Sequence, residues 1–335
     1  MRRVILGAWL AAALAFVLPL LLRTPERAAE ETPAPAPEQT EAPAETGAPG
    51  PVLDESIALC VKTETGTVEL PMAEWLPLAL AGEMPAAFAP EALKAQAVAL
   101  RSYALHFRDS RKSAHPEADV CTSPACCCAC ARESELRERW GEEYERYLTR
   151  VREAASATDG QYLVYGETPA LAVFHAASYG QTENGASLGV PEPYLVSVST
   201  PETAAEVRQL CTTVLVSPME LKTCVLLLCP EARFPEDPAR WLSEVRRNDA
   251  GRVDSVCIGG ALVSGAALRQ ILALRSTDFD VSYADGGFTF TVRGYGHGLG
   301  MSQYGADALA DAGADYREIL AHYYPGTELV IAVRN

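Results

Sequence analysis

The amino-terminal segment sets the strongest limit on what this chain can fold into. Residues 4–22 carry no charged side chain and follow Arg2 and Arg3. About twenty consecutive apolar residues can cross a bilayer as a helix, and this run ends at Arg23 without the small-residue site of a cleaved signal peptide. We therefore predict an uncleaved membrane anchor over residues 1–23. The leading arginines favour a cytoplasmic amino terminus, so the rest is expected to be extracytoplasmic, on a single pass through the cell membrane.

The next segment, residues 24–54, is rich in proline, alanine, glutamate and threonine and contains no aromatic residue. Such a composition buries too little apolar surface to fold by itself, so we expect a flexible linker. Residues 55–335 are then left for one folded domain. The formal net charge of −16 argues against nucleic acid as a partner, because phosphate binding depends on clustered lysine and arginine.

The remaining sequence mixes strand and helix patterns. Alternating residues at 57–61 and 68–70, around a glycine-containing turn, predict a β-hairpin. The further predicted elements are helices at 72–82, 92–108 and 302–312 and a strand at 288–292. Short strands and helices mixed in this way predict an α+β domain, and we expect it to contain a substrate cleft.

Glu83 lies at the junction of the first two predicted helices, where Gly82 and Pro85 end the first one. Its sequence neighbours Met84 and Phe88 are apolar. A carboxyl group held against apolar side chains favours its neutral form and can act as an acid near neutral pH. The alternative is a solvated surface carboxylate, which is the usual role of a glutamate beside a helix break.

Several sequence blocks follow one another in a fixed order. They are Glu-Met-Pro-Ala-Ala-Phe at 83–88, Glu-Ala-Leu-Lys-Ala-Gln-Ala-Val-Ala at 91–99, Arg-Ser-Tyr-Ala at 101–104, His-Ala-Ala-Ser-Tyr-Gly-Gln-Thr-Glu at 175–183, Leu-Arg-Ser-Thr-Asp-Phe at 274–279, Gly-Tyr-Gly-His-Gly-Leu-Gly-Met-Ser-Gln-Tyr-Gly-Ala at 294–306 and Ile-Leu-Ala-His-Tyr-Tyr-Pro-Gly-Thr at 319–327. Together they resemble the signature of the SpoIID/LytB family. The matches are collinear and extend over nearly all of the predicted domain.

The resemblance to the sporulation branch of this family implies a lytic transglycosylase that cleaves peptide-free glycan strands of peptidoglycan during engulfment. It places the catalytic acid/base on Glu83, with a 1,6-anhydro sugar as product. It also implies a sporulation amidase and a membrane scaffold as partners. The alternative is the role of the LytB branch, a non-catalytic wall-binding modifier of an N-acetylmuramoyl-L-alanine amidase. A zinc hydrolase is disfavoured because no His-Glu-x-x-His is present.

The glycine-rich segment at 294–300 lies between a predicted strand and a predicted helix. Its spacing fails the dinucleotide fingerprint, since the third glycine would fall on Leu299, and no Gly-Lys-Ser/Thr follows. We expect the glycines to let the backbone approach a sugar chain. The expected sugar contacts are Tyr295 and Tyr304 by stacking and His297 and Gln303 by hydrogen bonding. The alternative is a tight turn that buries the histidine for structural reasons.

Four more side chains are candidates for substrate contact, namely Arg101, His175, Ser178 and Arg275. Arg101 can alternatively pair with a carboxylate, and His175 can be a hydrogen-bonded histidine of the core. His175, Ser178 and Glu183 also suggest a hydrolase triad, but no Gly-x-Ser-x-Gly elbow surrounds the serine.

The chain has ten cysteines, five of which crowd residues 121–130. Neighbouring cysteines cannot readily all form disulfides with one another, whereas thiolates and a nearby histidine suit zinc. The segment resembles the metal-binding segment of clostridial family members, which implies His115, Cys121 and Cys127 as zinc ligands. The additional cysteines leave the last ligand open among Cys126, Cys127, Cys128 and Cys130, and extracytoplasmic disulfides remain an alternative. For Cys211, Cys224 and Cys229, a second metal site and buried thiols are both open.

Residues 132–153 are dense in glutamate and arginine and include Trp140, Tyr144 and Tyr147. The pattern predicts an amphipathic helix with pairs of opposite charge, and we interpret those charges as a solvated face.

Overall fold

Two hydrophobic clusters organise the computed structural model, which describes residues 53–205 and 207–332. The predicted membrane helix at 1–23, and the predicted linker up to residue 52, lie outside the described residues. Within the described ranges, no helix combines the length and the apolar character needed to span a bilayer. The described residues belong to one compact unit of mixed helices and sheets, which confirms the α+β prediction.

The described helices, in chain order, are α1 (Met72–Glu83), α2 (Pro90–Asp109), α3 (Glu133–Trp140), α4 (Tyr144–Ala157), α5 (Pro218–Leu228), α6 (Gly265–Ile271), α7 (Gln303–Asp311) and α8 (Tyr316–Tyr323). The strands are β1 (Ala58–Thr63), β2 (Gly66–Pro71), β3 (Val120–Cys121), β4 (Gln161–Tyr165), β5 (Thr168–Pro169), β6 (Phe174–His175), β7 (Cys211–Val216), β8 (Leu242–Arg247), β9 (Val253–Ile258), β10 (Ala261–Ser264), β11 (Asp278–Ala284), β12 (Gly287–Arg293), β13 (Met301–Ser302) and β14 (Glu328–Ile331). The predicted hairpin, the helices at 72–82, 92–108 and 302–312, and the strand at 288–292 all form, with ends shifted by a few residues.

The larger cluster is built around α2, which begins with Pro90 in its first turn and is buried along most of its length. Proline suits that position because its missing N–H is one that a helix start leaves unbonded. The surrounding helices α1, α4, α7 and α8 pack on it together with the sheets β2-β1-β3 and β14-β4-β5. Trp75 and Leu76 of α1 are fully buried in this cluster. The end of α1 is thereby fixed against the core.

The smaller cluster lies between two three-stranded antiparallel sheets, β11-β12-β7 and β10-β9-β8, together with α5 and α6. Phe279, Phe288 and Phe290 fill its centre and are fully buried. The unassigned cysteines belong to this region, with Cys211 exposed and Cys224 half-buried. Among the described residues, no group of three or more metal-ligating side chains forms there.

The predicted helix at 132–153 is two helices, not one. Gly141 separates α3 from α4 and has a φ of +52°, a left-handed conformation that costs glycine little. The break redirects the chain, so that Trp140 at the end of α3 packs edge-on against Tyr147 of α4 with ring centroids 5.6 Å apart. The two aromatic side chains therefore meet at the junction between the helices.

Candidate functional site

Glu83 is the last residue of α1 and lines an open cavity of about 360 Å³. That volume falls within the range of small-molecule binding sites. The other walls come from the loop that follows α1 and from the junction of α3 with α4, which contributes Arg139, Trp140 and Tyr147. Of the described residues that line the cavity, Glu83 alone has an acidic side chain. The cavity therefore offers one carboxyl group and an aromatic wall.

The cysteine-rich loop packs directly against the end of α1. The backbone N–H of Ala129 donates a hydrogen bond to the carboxylate of Glu83. A Cβ at Gly82 would lie 2.9 Å from the Ala129 carbonyl oxygen and 3.1 Å from the Ala131 nitrogen, so a side chain there would push the loop away. The absence of a side chain at Gly82 is what lets the loop reach the carboxylate.

The environment of Glu83 favours its protonated form. Burial against apolar side chains raises the pKa of its carboxyl group, and the hydrogen bond from Ala129 lowers the pKa by a smaller amount. The net shift is upward. More of the neutral acid is therefore present near neutral pH than for an exposed glutamate.

The loop after Glu83 is held from two sides. Arg150 of α4 donates from Nε to the carbonyl of Ala86 (2.8 Å) and from Nη2 to that of Phe88 (2.6 Å). On the other side, the N–H of Ala89 donates to a carboxylate oxygen of Asp307 in α7 (2.7 Å). These contacts fix the wall of the cavity next to the carboxyl group.

The predicted metal ligands lie together. One nitrogen of His115 and the thiols of Cys121, Cys126 and Cys127 all lie within 4.8 Å of one another. A tetrahedral zinc ion with Zn–S bonds of about 2.3 Å holds its sulfur ligands about 3.8 Å apart, so the four groups would fit such an ion after moving inward by up to about 1 Å. Cys126 is a fourth member of the group, in addition to the three ligands that the resemblance implies.

The histidine of this cluster is oriented for such a role. Nδ1 of His115 lies 3.0 Å from the carbonyl of Ala118, which fixes the proton on that nitrogen, and Nε2 points at the sulfur of Cys127 at 3.1 Å. A hydrogen bond from the second ring nitrogen is the usual support of a metal-ligating histidine. The chain continues from Cys127 to Ala129 within two residues, so the cluster and the Glu83 hydrogen bond share one loop.

His175 and Ser178 are neighbours but do not form a hydrolase triad. Nε2 of His175 lies 2.6 Å from the Ser178 hydroxyl, while Nδ1 faces the Leu299 carbonyl at 3.2 Å instead of a carboxylate. The carboxylate of Glu183 instead accepts from the Asn184 N–H and from Asn248, each at 2.8 Å. Burial lowers the pKa of His175 well below its usual range, so this buried ring stays neutral.

The glycines of residues 294–300 approach the protein's own backbone and side chains. A Cβ at Gly300 would lie 1.9 Å from the Val173 carbonyl oxygen, and one at Gly298 would lie 2.4 Å from the guanidinium carbon of Arg252. Both glycines have left-handed φ values, +69° and +86°. The expectation that these glycines make room for a sugar is therefore corrected, because the structure fills that room with residues 173–178 and Arg252. The tight-turn alternative describes the segment better.

The other predicted contacts separate into interior and surface groups. Arg101 is fully buried and donates hydrogen bonds to both carboxylate oxygens of Asp54 (2.8 and 2.7 Å). The structure therefore shows the alternative role of Arg101, a pair with a carboxylate, and not an exposed sugar contact. Asp54 thus belongs to the folded domain although we had assigned it to the linker. Gln303 is also buried, and it donates to Gln96 at 3.4 Å.

Four more candidates lie at or near the surface. Tyr295 is exposed, and Arg275 stacks on its ring at 4.1 Å. Tyr304 is half-buried and packs edge-on against Phe88, with ring centroids 4.8 Å apart, so it supports the loop after Glu83. Half-buried His297 accepts the Leu299 N–H, and burial lowers its pKa to about 4.

Sequence reasoning missed three residues of the Glu83 cavity, Arg139, Trp140 and Tyr147. The sequence pattern predicts one amphipathic helix with a solvated charged face, and the helix break at Gly141 is what brings the three residues to the wall of the Glu83 cavity. A glycine following a tryptophan within a predicted helix was the available signal.

Comparison with known proteins agrees with the sequence blocks. The family model SpoIID, described as a stage II sporulation protein, matches residues 62–165. The chain is 30% identical to stage II sporulation protein D of Bacillus amyloliquefaciens over 94% of this chain and 92% of that protein. It is 32% identical to stage II sporulation protein D of Bacillus subtilis (strain 168), over 80% of this chain and 77% of that protein.

A further likeness covers a much shorter part of the chain. A stretch of 55 residues is 53% identical to the amidase enhancer of Bacillus subtilis (strain 168), covering 16% of this chain and 8% of that protein. The two long matches extend over most of the chain, whereas this one covers a small part of a much larger protein. The chain therefore belongs to the SpoIID family of sporulation proteins.

Proposed function

We propose that this protein is a lytic transglycosylase that cleaves peptide-free glycan strands of peptidoglycan during sporulation and engulfment, with Glu83 as its catalytic acid/base. The observation that carries the proposal is the cavity at the end of α1. It presents one carboxyl group of raised pKa, an aromatic wall and, within the described part of the chain, no second acidic side chain.

The single carboxyl group suits a reaction in which the substrate provides the nucleophile. Protonated Glu83 gives its proton to the glycosidic oxygen as the bond from that oxygen to C1 of the muramic acid breaks. The resulting carboxylate takes the proton of the C6 hydroxyl, whose oxygen bonds to C1 and closes a 1,6-anhydro ring. Glu83 ends protonated and no water is consumed. Glycosidases that use water or a covalent intermediate usually need a second carboxylate, which this cavity lacks.

Zinc is proposed as a structural partner of this site. His115, Cys121, Cys126 and Cys127 would hold it in a closed four-ligand set, the arrangement of structural zinc sites. When bound, the ion would order the cysteine loop and leave no open position for water or substrate. The loop would then hold the Ala129 N–H against the carboxylate of Glu83.

We further propose that residues 1–23 anchor the protein in the cell membrane and that the catalytic domain is extracytoplasmic, reaching the wall through residues 24–52. A sporulation amidase would act first by removing the stem peptides, and a membrane scaffold would hold the two enzymes together. The names of the two long relatives, both stage II sporulation protein D, support the sporulation setting.

The second candidate function is a non-catalytic wall-binding modifier of an N-acetylmuramoyl-L-alanine amidase. The 55-residue likeness to the amidase enhancer favours it. The two candidate functions predict different results for a peptide-free strand, on which an amidase has nothing to remove. A transglycosylase would cleave this strand, whereas a modifier of an amidase would leave it intact.

The test is to incubate the full-length protein with purified peptide-free strands and to identify the products by mass spectrometry. A transglycosylase releases fragments with 1,6-anhydro ends, and Glu83→Ala releases none. Intact strands, together with faster peptide release when the protein is added to an amidase, would instead establish the modifier. Circular dichroism of both proteins controls for folding.

A further inference from the structure

Among the described residues, Arg139 is the one cation in the wall of the Glu83 cavity. It lies in the last turn of α3, and the aromatic rings of Trp140 and Tyr147 line the same cavity. The side chain of Arg139 is exposed. Arg139 is therefore positioned to contact a ligand that enters the Glu83 cavity.

Three nearby arginines have carboxylate partners. Arg132 pairs with Glu135 (2.5 Å), Arg137 with Glu133 (2.7 Å), and Arg146 with Glu143; together these pairs form the solvated charge pattern expected for this stretch. Within residues 53–205 and 207–332, no carboxylate forms a close ion pair with Arg139, although Arg139 lies near enough to Glu135 to help lower the pKa of that carboxyl group. Its one hydrogen bond is a long one, 3.5 Å from Nη1 to the Ala81 carbonyl. Its guanidinium group therefore has no carboxylate in direct contact and can bind an anion of the substrate.

A second cavity adjoins the first. It has a volume of about 560 Å³ and is lined by the β1–β2 hairpin, the cysteine loop and α3. Gly82 and Arg139 line both cavities. Two carboxylates, Glu64 and Glu135, also line the second cavity, and both pair with its other cation, Arg132, at 3.8 and 2.5 Å. A polymer that occupies both cavities must pass Arg139, the only unpaired cation among the described residues that line them.

We infer that Arg139 binds the lactyl carboxylate of a muramic acid residue and thereby selects strands whose peptides have been removed. In intact peptidoglycan that carboxyl group is an amide with the stem peptide and carries no charge. Hydrolysis of the amide leaves a carboxylate on every muramic acid. A guanidinium group binds a carboxylate through two parallel hydrogen bonds, and it gains nothing comparable from an amide. This inference rests on the proposed glycan substrate.

The test separates substrate binding from cleavage by using Glu83→Gln as the parent. Two probes are compared: peptide-free strands with free carboxylates, and the same strands with those groups converted to methylamides. The parent is expected to bind the free-carboxylate probe about three- to tenfold more tightly, the range for an accessible charge pair to a well-placed arginine. Adding Arg139→Gln is expected to abolish that preference, and Arg139→Lys to keep part of it.

The matched control is Arg137→Gln in the same parent, because Arg137 lies on the same helix and lines neither cavity. It is expected to keep the full preference. Equal binding of both probes by the parent, or a preference that survives Arg139→Gln, would overturn the role of Arg139 while leaving the glycan substrate intact. Failure of the folded parent to bind either probe would overturn the proposed function, and the role of Arg139 with it.

Discussion

The segment that carries Glu83 and the glycine-rich segment at 294–300 both belong to the blocks that mark this family. They differ in whether their polar side chains are accessible from a cavity or are hydrogen-bonded inside the protein. The carboxyl group of Glu83 faces an open cavity and has one hydrogen bond from the protein. His175, which packs against the glycine-rich segment, has both ring nitrogens within hydrogen-bonding distance of protein atoms and is 4% exposed.

This difference distinguishes a side chain that can react with a substrate from side chains that stabilise the fold. A catalytic group needs an accessible atom with capacity left for the substrate, whereas a buried polar group is stable only when its hydrogen bonds are made within the protein. By this criterion Glu83 is equipped to react, and Ser178 and His175 are equipped to hold two segments together. Four predictions test the distinction, from the largest expected effect to the smallest.

The largest effect is expected from Gly300→Ala. The new Cβ would meet the Val173 carbonyl at 1.9 Å, so the substitution combines backbone strain with a direct clash. We expect a loss of at least about 3 kcal/mol in the free energy of unfolding, measured with urea. The control is Gly260→Ala, which has a similar φ of +74° and no atom within 4 Å, and which should lose only about 1–2 kcal/mol. Equal losses would show that the close approach is unimportant.

Ser178→Ala tests the scaffolding role directly. It leaves Nε2 of buried His175 without its partner, so the free energy of unfolding should fall by about 1–3 kcal/mol. The rate of strand cleavage per folded molecule should stay unchanged. Ser110→Ala, which removes an exposed hydroxyl bonded to its own helix, serves as the control for stability. A large loss of rate in a folded Ser178→Ala protein would place the serine in the chemistry.

Cys127→Ser tests the link between the metal cluster and Glu83. We expect bound zinc, measured by mass spectrometry of the metal, to fall from one ion per chain toward none. Loss of the ordered Ala129 hydrogen bond should cost about 1.5 kcal/mol in the barrier, which is about tenfold in rate. Cys130→Ser, in the same loop but outside the four-residue cluster, should keep both zinc and rate. Full activity of a zinc-free Cys127→Ser protein would show that zinc binding does not support the activity of Glu83.

The smallest effect is a pH dependence of stability. The pKa of Glu83 is raised in the folded protein, so the stability gained from its protonated form is present at low pH and is lost as pH rises through the folded-state pKa. Glutamine cannot ionise and escapes this loss. The melting temperature of Glu83→Gln relative to wild type should therefore increase between pH 4 and pH 8. The exposed substitution Glu138→Gln should show no such trend; a flat difference for Glu83→Gln would mean that its carboxyl group is not shielded from water.

Local features of the fold were predictable from the sequence. Alternation gave the β1–β2 hairpin, and the glycine and proline around Glu83 gave the end of α1, because turns and helix ends depend on residues only a few positions apart. The carboxyl group was therefore placed correctly at a helix end, and its apolar surroundings were anticipated from Met84 and Phe88.

The rest of the site depends on contacts between distant segments. Trp140 and Tyr147 face Glu83 because a left-handed glycine breaks a helix that charge patterning predicted to be continuous. The glycines near residue 300 suggested a ligand, but their true neighbours, Val173 and Arg252, come from other strands and loops. The spacing of glycines in a sequence indicates where another group comes close to the backbone. It does not indicate whether that group is a ligand or another part of the protein.

The most direct test of the account is the initial rate at which anhydro-ended fragments appear from peptide-free strands, compared among wild type, Glu83→Gln and Ser178→Ala at equal folded concentration. We predict a loss of about 10²- to 10⁴-fold for Glu83→Gln, the usual contribution of a general acid/base, with Ser178→Ala matching wild type. Wild-type rates from Glu83→Gln, or equal losses in both variants, would contradict the assignment of the chemistry to Glu83.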